Sequence, residues 1–516
     1  MKELIYHRHL LPAVSRYADK VGFVDGAYRA TYAQHLDRVA RLCAVLKTLG
    51  VAGEDRFAVM ALNGHCFLEL YHAAYLGAGV VNPLNLRLAA KELEYILHDS
   101  GTKVCFVDAH FAPLIASVRA AAGIEHVVLM GPGDVPHDHK YEHLLEAVTP
   151  KIPDEPEETE PVVLMYTGGT TGLPKGVLCD HRAEMLNLYH VLMRVPFDET
   201  RVILHQTPMF HAASMAGLLA APLGSTSVFM PMFDPAKVPL IIEKEKVTDT
   251  VMVPTMIGMM LNHPDFKPER LASLMRLTYG ASPMPEALLQ RIIALRPDLD
   301  LFQGYGMTEC SSVIVLLDPA DHRKGGELLR SAGRALPGVV LSIQDEEGKI
   351  LPPRQTGEVC ARSGNYMHGY WRKPEATEEA FRGGWYHTGD AGYLDEGGYL
   401  YLVDRVKDMI VTGGENVYST EVENAIASHP AVAQVAVIGI PHDTWGEAVH
   451  AIVVLHAGRT ATAEEIMEHA RGNIAGYKLP KSVEFRSQPL PLSGAMKVLK
   501  RELRAPYWEG KTRRVN

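Results

Sequence analysis

The chain has 516 residues, long for a single hydrophobic core, so two or more domains are expected. Apolar residues make up 47% and charged residues 22%, which excludes disorder as the main state. A formal charge of −10 argues against a dedicated nucleic-acid binder while leaving nucleotides open as ligands.

The N-terminal stretch from Met1 to His9 lacks the apolar region of a signal peptide. Short apolar runs then alternate with helical stretches through the first three hundred or so positions. Phe57 to Met60, Val104 to Val107 and His126 to Met130 read as strands, and Ala90 to His98 as a helix. This alternation predicts an α/β fold of layered, largely parallel sheets covered by helices. Asp154, Glu155, Glu157, Glu158 and Glu160, with Pro156 and Pro161, predict a solvated loop. A strand follows at Val162 to Tyr166. The longest apolar run, Ala212 to Leu223, is about half a bilayer span, so no transmembrane segment is expected. From Ser331 to Arg362 the alternation of Val339, Leu341 and Ile343 with polar neighbours predicts a small antiparallel β unit. From residue 405 onward, a helix from Glu421, strands at Val432 to Ile440 and Ala451 to Leu455, and a helix from Ala463 predict a compact α+β domain. The expected division is therefore 1–404 and 405–516.

Six cysteines lie far apart with no C-x-x-C pair, which suits neither a zinc site nor a disulfide framework and points to a reducing cytoplasm.

The most informative stretch is Tyr166-Thr167-Gly168-Gly169-Thr170-Thr171-Gly172-Leu173-Pro174-Lys175-Gly176. Its glycines allow close backbone approach, its threonines supply hydroxyls and Lys175 supplies a cation. Such a loop suits an oligophosphate. It is not a Walker A loop, because Leu173 stands where that motif has glycine.

Further blocks follow in order. They are Pro208-Met209-Phe210-His211, Gly304-Tyr305-Gly306-Met307-Thr308-Glu309, Tyr386-His387-Thr388-Gly389-Asp390, and Asp404 to Ile410 leading into Gly413-Gly414-Glu415. Together with the glycine-rich loop they resemble the adenylate-forming superfamily of acyl-CoA synthetases, luciferases and peptide-synthetase adenylation domains. The resemblance spans residues 166 to 501.

It implies an acid–CoA ligase in which a carboxylate attacks the α-phosphate of ATP and CoA then displaces AMP from the acyl-adenylate. Two anions must meet, so cations and aligned donors are required rather than a protein nucleophile. By resemblance, Thr167, Gly168, Gly169, Thr170, Thr171 and Lys175 hold the β- and γ-phosphates. Thr308 bonds the α-phosphate, and Glu309 holds Mg²⁺ through a hard oxygen ligand. Gly280, Ala281, Ser282, Gly304, Tyr305 and Gly306 flank the adenine, and Asp390 and Arg405 contact the ribose. Lys497 is the implied adenylation lysine and Lys407 the hinge of a rotating C-terminal domain. Gly413, Gly414, Trp445 and Lys478 are the candidates for CoA.

The residue before Lys497 is usually glycine in this superfamily, whereas here it is Met496. A requirement for positive φ there would strain methionine, and Met496→Gly would then raise the adenylation rate.

His211 stands where peptide-synthetase domains place an aspartate for the amino group, so amino acids are not expected as substrates. The acyl pocket is expected to include His211, Ala212, Met215, Met252 and Tyr279, with Tyr189 and His211 as candidates for an aromatic acid. No arginine is evident for a second carboxylate. The expected acid is a medium- or long-chain fatty acid, with an aryl or arylalkenyl acid as the alternative. A third reading is an adenylate-binding protein impaired at Met496, and a fourth is a luciferase-like oxygenase. The expected partners are the acid, ATP and CoA, with no nucleic acid and with a homodimer as the candidate assembly.

Overall fold

The computed structural model describes residues 2–167, 173–405, 408–412, 415–442, 444–494 and 496–509. Two large sheets dominate the first four hundred positions. An eight-stranded sheet runs, in spatial order, Gly369–Tyr370, Lys175–Asp180, Pro161–Thr167, Val80–Pro83, Arg56–Met60, Val104–Asp108, His126–Met130 and His139–Lys140. Its centre is parallel and apolar on both faces, as expected of strands covered by helices on each side. One edge is an antiparallel hairpin in which Thr167 pairs with Lys175. The described strands on either side of the glycine-rich stretch, Pro161–Thr167 and Lys175–Asp180, are thus antiparallel neighbours.

The nine-stranded sheet places Asp300–Tyr305, Arg276–Gly280, Asp249–Met252, Val202–His205 and Thr226–Phe229 side by side and parallel. The apolar run from Ala212 to Leu223 is broken into three short helical pieces between two of these strands. Among the described residues no helix is long and apolar enough to cross a membrane.

The antiparallel unit expected after Ser331 is larger than its first alternation suggests. Val340–Gln344, Gly357–Arg362, Tyr386–Leu394 and Leu400–Arg405 form a four-stranded sheet. A fourth sheet then gathers Glu415–Val417, Ile410–Thr412, Gly446–Leu455, Val432–His442 and Ser482–Arg486. Helices Ser419–Ala427 and Ala463–Arg471 bury Val422, Ile426, Ile466 and Ala470 in an apolar cluster with this sheet.

The acidic loop is not simply solvated. Arg8 donates to both carboxylate oxygens of Glu155 at 3.0 and 2.8 Å, and Glu158 accepts from the amides of Glu3 and Leu4. Its charges hold the N-terminal segment against the body of the protein.

Candidate active site

The carboxyl ends of the parallel strands open into one continuous cleft of ≈ 2940 Å³, bounded by the large sheets, the four-stranded sheet and the hairpin from Leu492 to Val498. Its size leaves room for a nucleotide and an acid together. Its floor is bare backbone for a steric reason. Gly280 and Gly304 are register partners, and a Cβ on Gly280 would stand 2.1 Å from the Gly304 carbonyl oxygen. A Cβ on Gly306 would stand 1.9 Å from the carbonyl oxygen of Ser312. Ala281 then turns away with φ +65°, and Ser282 follows at the cleft wall.

Tyr305 and Asp390, from separate sequence blocks, meet here. The Tyr305 hydroxyl donates to Asp390 Oδ2 at 2.8 Å. Burial, and the neighbouring Asp390 charge, hold that phenol well above its ordinary pKa, so it remains a donor. Asp390 is also in register with Arg405, whose side chain lies outside the described part. The turn before Asp390 is fixed by Glu358, which accepts from the Gly389 amide at 3.0 Å, from Arg382 at 2.7 Å and from His387 at 2.8 Å. Glu358 carries no motif label of its own, and its role is visible only in the fold.

Thr308 and Glu309 sit on a short 3₁₀ turn at the cleft. Tyr370 donates to Glu309 Oε1 at 2.9 Å, and the Lys175 ammonium lies 4.7 Å from the centre of the Tyr370 ring. Tyr370 therefore links Lys175, at the end of the glycine-rich stretch, to the carboxylate expected to bind metal. A hard carboxylate oxygen is a suitable magnesium ligand. Gly168, Gly169, Thr170 and Thr171 lie outside the described residues, as do Lys407, Gly413 and Gly414.

Lys497 is carried by the hairpin in which Leu492 pairs with Val498. The Lys497 carbonyl accepts from the Ser493 amide at 2.7 Å, and its amide donates to Ser493 Oγ at 3.1 Å. The hairpin docks on the first part of the chain: Thr255 Oγ1 donates to the Met496 carbonyl at 2.8 Å, and Arg87 donates to the Leu492 carbonyl. Met496 has φ +61°, as the glycine usual at this position anticipates, and its side chain packs against the core that holds Met252 and Met256. The Lys497 charge is felt by His211. Burial first, and then Lys497, push the His211 imidazole down to about 3. His211 Nδ1 accepts from the Ala213 amide at 3.2 Å, which fixes a neutral ring with its proton on Nε2.

Several expected pocket residues need correction. His211 and Ala212 line the cleft, but Met215 does not: it is buried in the core that also holds Tyr71 and Leu218. Met252 and Tyr279 reach the cleft wall yet are fully buried in the core behind the sheet. The Tyr279 hydroxyl donates to Gln303 Oε1 at 3.2 Å and lies 2.9 Å from His322. Tyr189 is outside the cleft, with its hydroxyl 2.9 Å from His9 of the first helix, because its helix turns that face toward the N-terminal segment. Trp445 stacks on His442, and Lys478 pairs with Glu421 at 2.7 Å; neither lines the cleft in this arrangement. An arginine not singled out from the sequence also lines the cleft: Arg276, in an ion pair with Asp249.

Gly280, Gly304, Tyr305, Asp390, Thr308, Glu309 and Lys175, from separate sequence blocks, thus line one cleft. Residues 11–371 match the AMP-binding enzyme family, and residues 421–497 match the AMP-binding enzyme C-terminal domain; the chain belongs to this family. It is 37% identical to the fatty acid–[acyl-carrier-protein] ligase ScoC of Streptomyces coeruleorubidus, over 94% of this chain and 93% of that one. It is 38% identical to a feruloyl-CoA synthase of an Amycolatopsis species, over 93% and 95% of the two chains. Its fold is similar to that of ATP-bound MatB from Rhodopseudomonas palustris, with TM-score 0.88 and 28% identity over 99% and 100% of the two chains. The protein is an ATP-dependent, AMP-forming acid–CoA ligase, with ATP and CoA as co-substrates.

Proposed function

We propose that the acid is a medium- or long-chain aliphatic carboxylate. The observation that carries this is the apolar lining: Val191, Val195 and Val251 line the same cleft as His211 and Ala212. A relative that acts on fatty acids supports the reading, and a relative that acts on a feruloyl group keeps aryl acids as the competing one.

In the first half-reaction the chain's own residues divide the work. Bare backbone at Gly280, Gly304 and Gly306 admits the base beside Tyr305, whose hydroxyl holds Asp390 toward the sugar. Lys175 and Thr308 face the phosphates. Glu309, held by Tyr370, would bind Mg²⁺, which neutralises phosphate charge. Lys497 offsets the negative charge where carboxylate and α-phosphate meet. Neutral His211 adds no second cation beside it.

The second half-reaction requires a thiol to reach the same centre, and the docked hairpin covers it. Rotation of a domain beginning at residue 405 about Lys407 would withdraw Lys497 and bring Gly413 and Gly414 forward. The exposed position of Trp445 fits that second arrangement. Six free cysteines fit a reducing, cytoplasmic setting.

CoA-dependent AMP release, measured across straight-chain acids of increasing length and across benzoate and cinnamate, tests the acid. Highest kcat/KM with an aliphatic acid is expected. Highest kcat/KM with an aryl acid would replace this reading.

A further inference from the structure

Arg276, Thr278 and Gly280 alternate along one strand with Leu277 and Tyr279, so the first three share a face. Leu277 and Tyr279 belong to the core behind the sheet, while the other face lines the cleft. Parallel pairing sets Val251 beside Thr278 and Asp249 beside Arg276. This face of the cleft therefore runs from bare Gly280, past Thr278 and Val251, to the charged pair of Arg276 and Asp249. At a rise of roughly 3.3 Å per residue, Gly280 to Arg276 spans about 13 Å.

That end is a built site. Arg276 is 5% exposed. Its Nε lies 2.5 Å from Asp249 Oδ1, and its guanidinium carbon lies 4.9 Å from the centre of the Phe197 ring, which lines the same cleft. Its Nη2 is buried and has no hydrogen-bond acceptor among the described residues. A buried donor without an acceptor is costly, and an oxygen brought by a ligand would complete it. Asp249 already balances the guanidinium charge, and Arg201, 3.8 Å from Asp249, is itself beside Asp198. A second carboxylate would thus be buried without a cation of its own, whereas a neutral oxygen would not.

We propose that Arg276 reads the far end of the acid, and that preferred substrates are straight-chain acids with a hydroxyl or carbonyl oxygen about ten atoms from the reacting carboxylate, the extended length at bonds of about 1.5 Å. The proposal rests on the aliphatic reading above. It makes Arg276 a specificity residue and leaves the reacting atoms to Lys497 and Thr308.

The test is CoA-dependent AMP release with decanoate, ω-hydroxydecanoate, decanedioate and cinnamate. For the unaltered enzyme, kcat/KM for ω-hydroxydecanoate is expected to exceed that for decanoate by about tenfold or more, with decanedioate below it. Arg276→Met should bring the ratio toward one. Because that change leaves Asp249 buried without its partner, Arg276→Gln combined with Asp249→Asn serves as the second variant, with the same expected loss of ratio. Equal kcat/KM for decanoate and its ω-hydroxy form in the unaltered enzyme would overturn the role of Arg276 and leave the aliphatic reading standing. A ratio that survives in the double variant would overturn it too. Turnover of cinnamate with none of the three aliphatic acids would overturn the aliphatic reading and this proposal together.

Discussion

Met496 offers the sharpest energetic test of how the adenylating arrangement is held. Its φ of +61° is in the left-handed region, which costs a side-chain-bearing residue about 1–2 kcal/mol. Against this, its side chain packs on the core containing Met252 and Met256, and partial burial of a methionine is worth about 1–2 kcal/mol. The two terms nearly cancel, so two substitutions are needed to separate them. Met496→Ala keeps the Cβ and the strain but loses the packing; it should slow adenylation about tenfold, since 1.4 kcal/mol is a factor of ten. Met496→Gly loses both and should stay within about threefold of the unaltered enzyme. The bond from Thr255 goes to a backbone carbonyl and is available to both variants. The assay is acid-dependent ATP–pyrophosphate exchange at matched folded fraction. A glycine variant as slow as the alanine variant would refute the strain, and an alanine variant at full rate would refute the packing. The gain expected for Met496→Gly from sequence alone shrinks to near parity because the methionine has a packing partner.

Lys497→Ala should abolish pyrophosphate exchange while sparing thioester formation from supplied acyl-adenylate; equal loss of both steps would refute a rotating domain. Tyr370→Phe removes the hydroxyl that holds Glu309, so half-saturation by Mg²⁺ should rise by about threefold to tenfold, a charge-assisted bond being worth roughly 1.5–3 kcal/mol at most. An unchanged Mg²⁺ titration would detach Tyr370 from the metal site. Burial holds His72 down at about 4 and His181, His205 and His211 at about 3, all below their ordinary 6.5. The unfolded chain therefore binds more protons below pH 6.5, and stability present above that pH is lost as pH falls through the folded values, by up to about 1.4 kcal/mol per histidine per pH unit. Tm measured from pH 7 to pH 5 should fall steadily, and a flat profile would contradict neutral burial of these rings.

Sequence legibility divided along a physical line. Strand His126–Met130 has the bounds its apolar run predicts, because four consecutive buried residues after His126 need no partner-specific detail. The positive φ at Met496 was also legible, from the glycine usual there. The pocket wall was not. Tyr279 and Thr278 are adjacent in sequence, and only the pleat, fixed by pairing with neighbouring strands, decides which of them joins the buried core. Met215 was misplaced for a similar reason, since a short helical piece can turn either side to the core. Tyr370 and Glu358 hold Glu309 and the Gly389 turn from 61 and 31 positions away, and contacts of that span leave no local pattern. Arg276 was missed because a lone arginine before an apolar strand segment looks like a surface residue until Asp249 is seen across from it.

The bare floor formed by Gly280, Gly304 and Gly306 bears on how such an enzyme acquires new substrates. Any side chain at Gly280 or Gly306 collides with neighbouring main chain, which cannot retreat, so those codons are closed to useful variation whatever acid is under selection. Val251, Thr278 and Val313 lie along the same cavity and carry side chains that can be exchanged without moving the backbone. A library confined to Val251 and Thr278, with Arg276 and Asp249 varied as a pair, would change cleft side chains while leaving the glycine floor, and Val313 above Gly304, untouched.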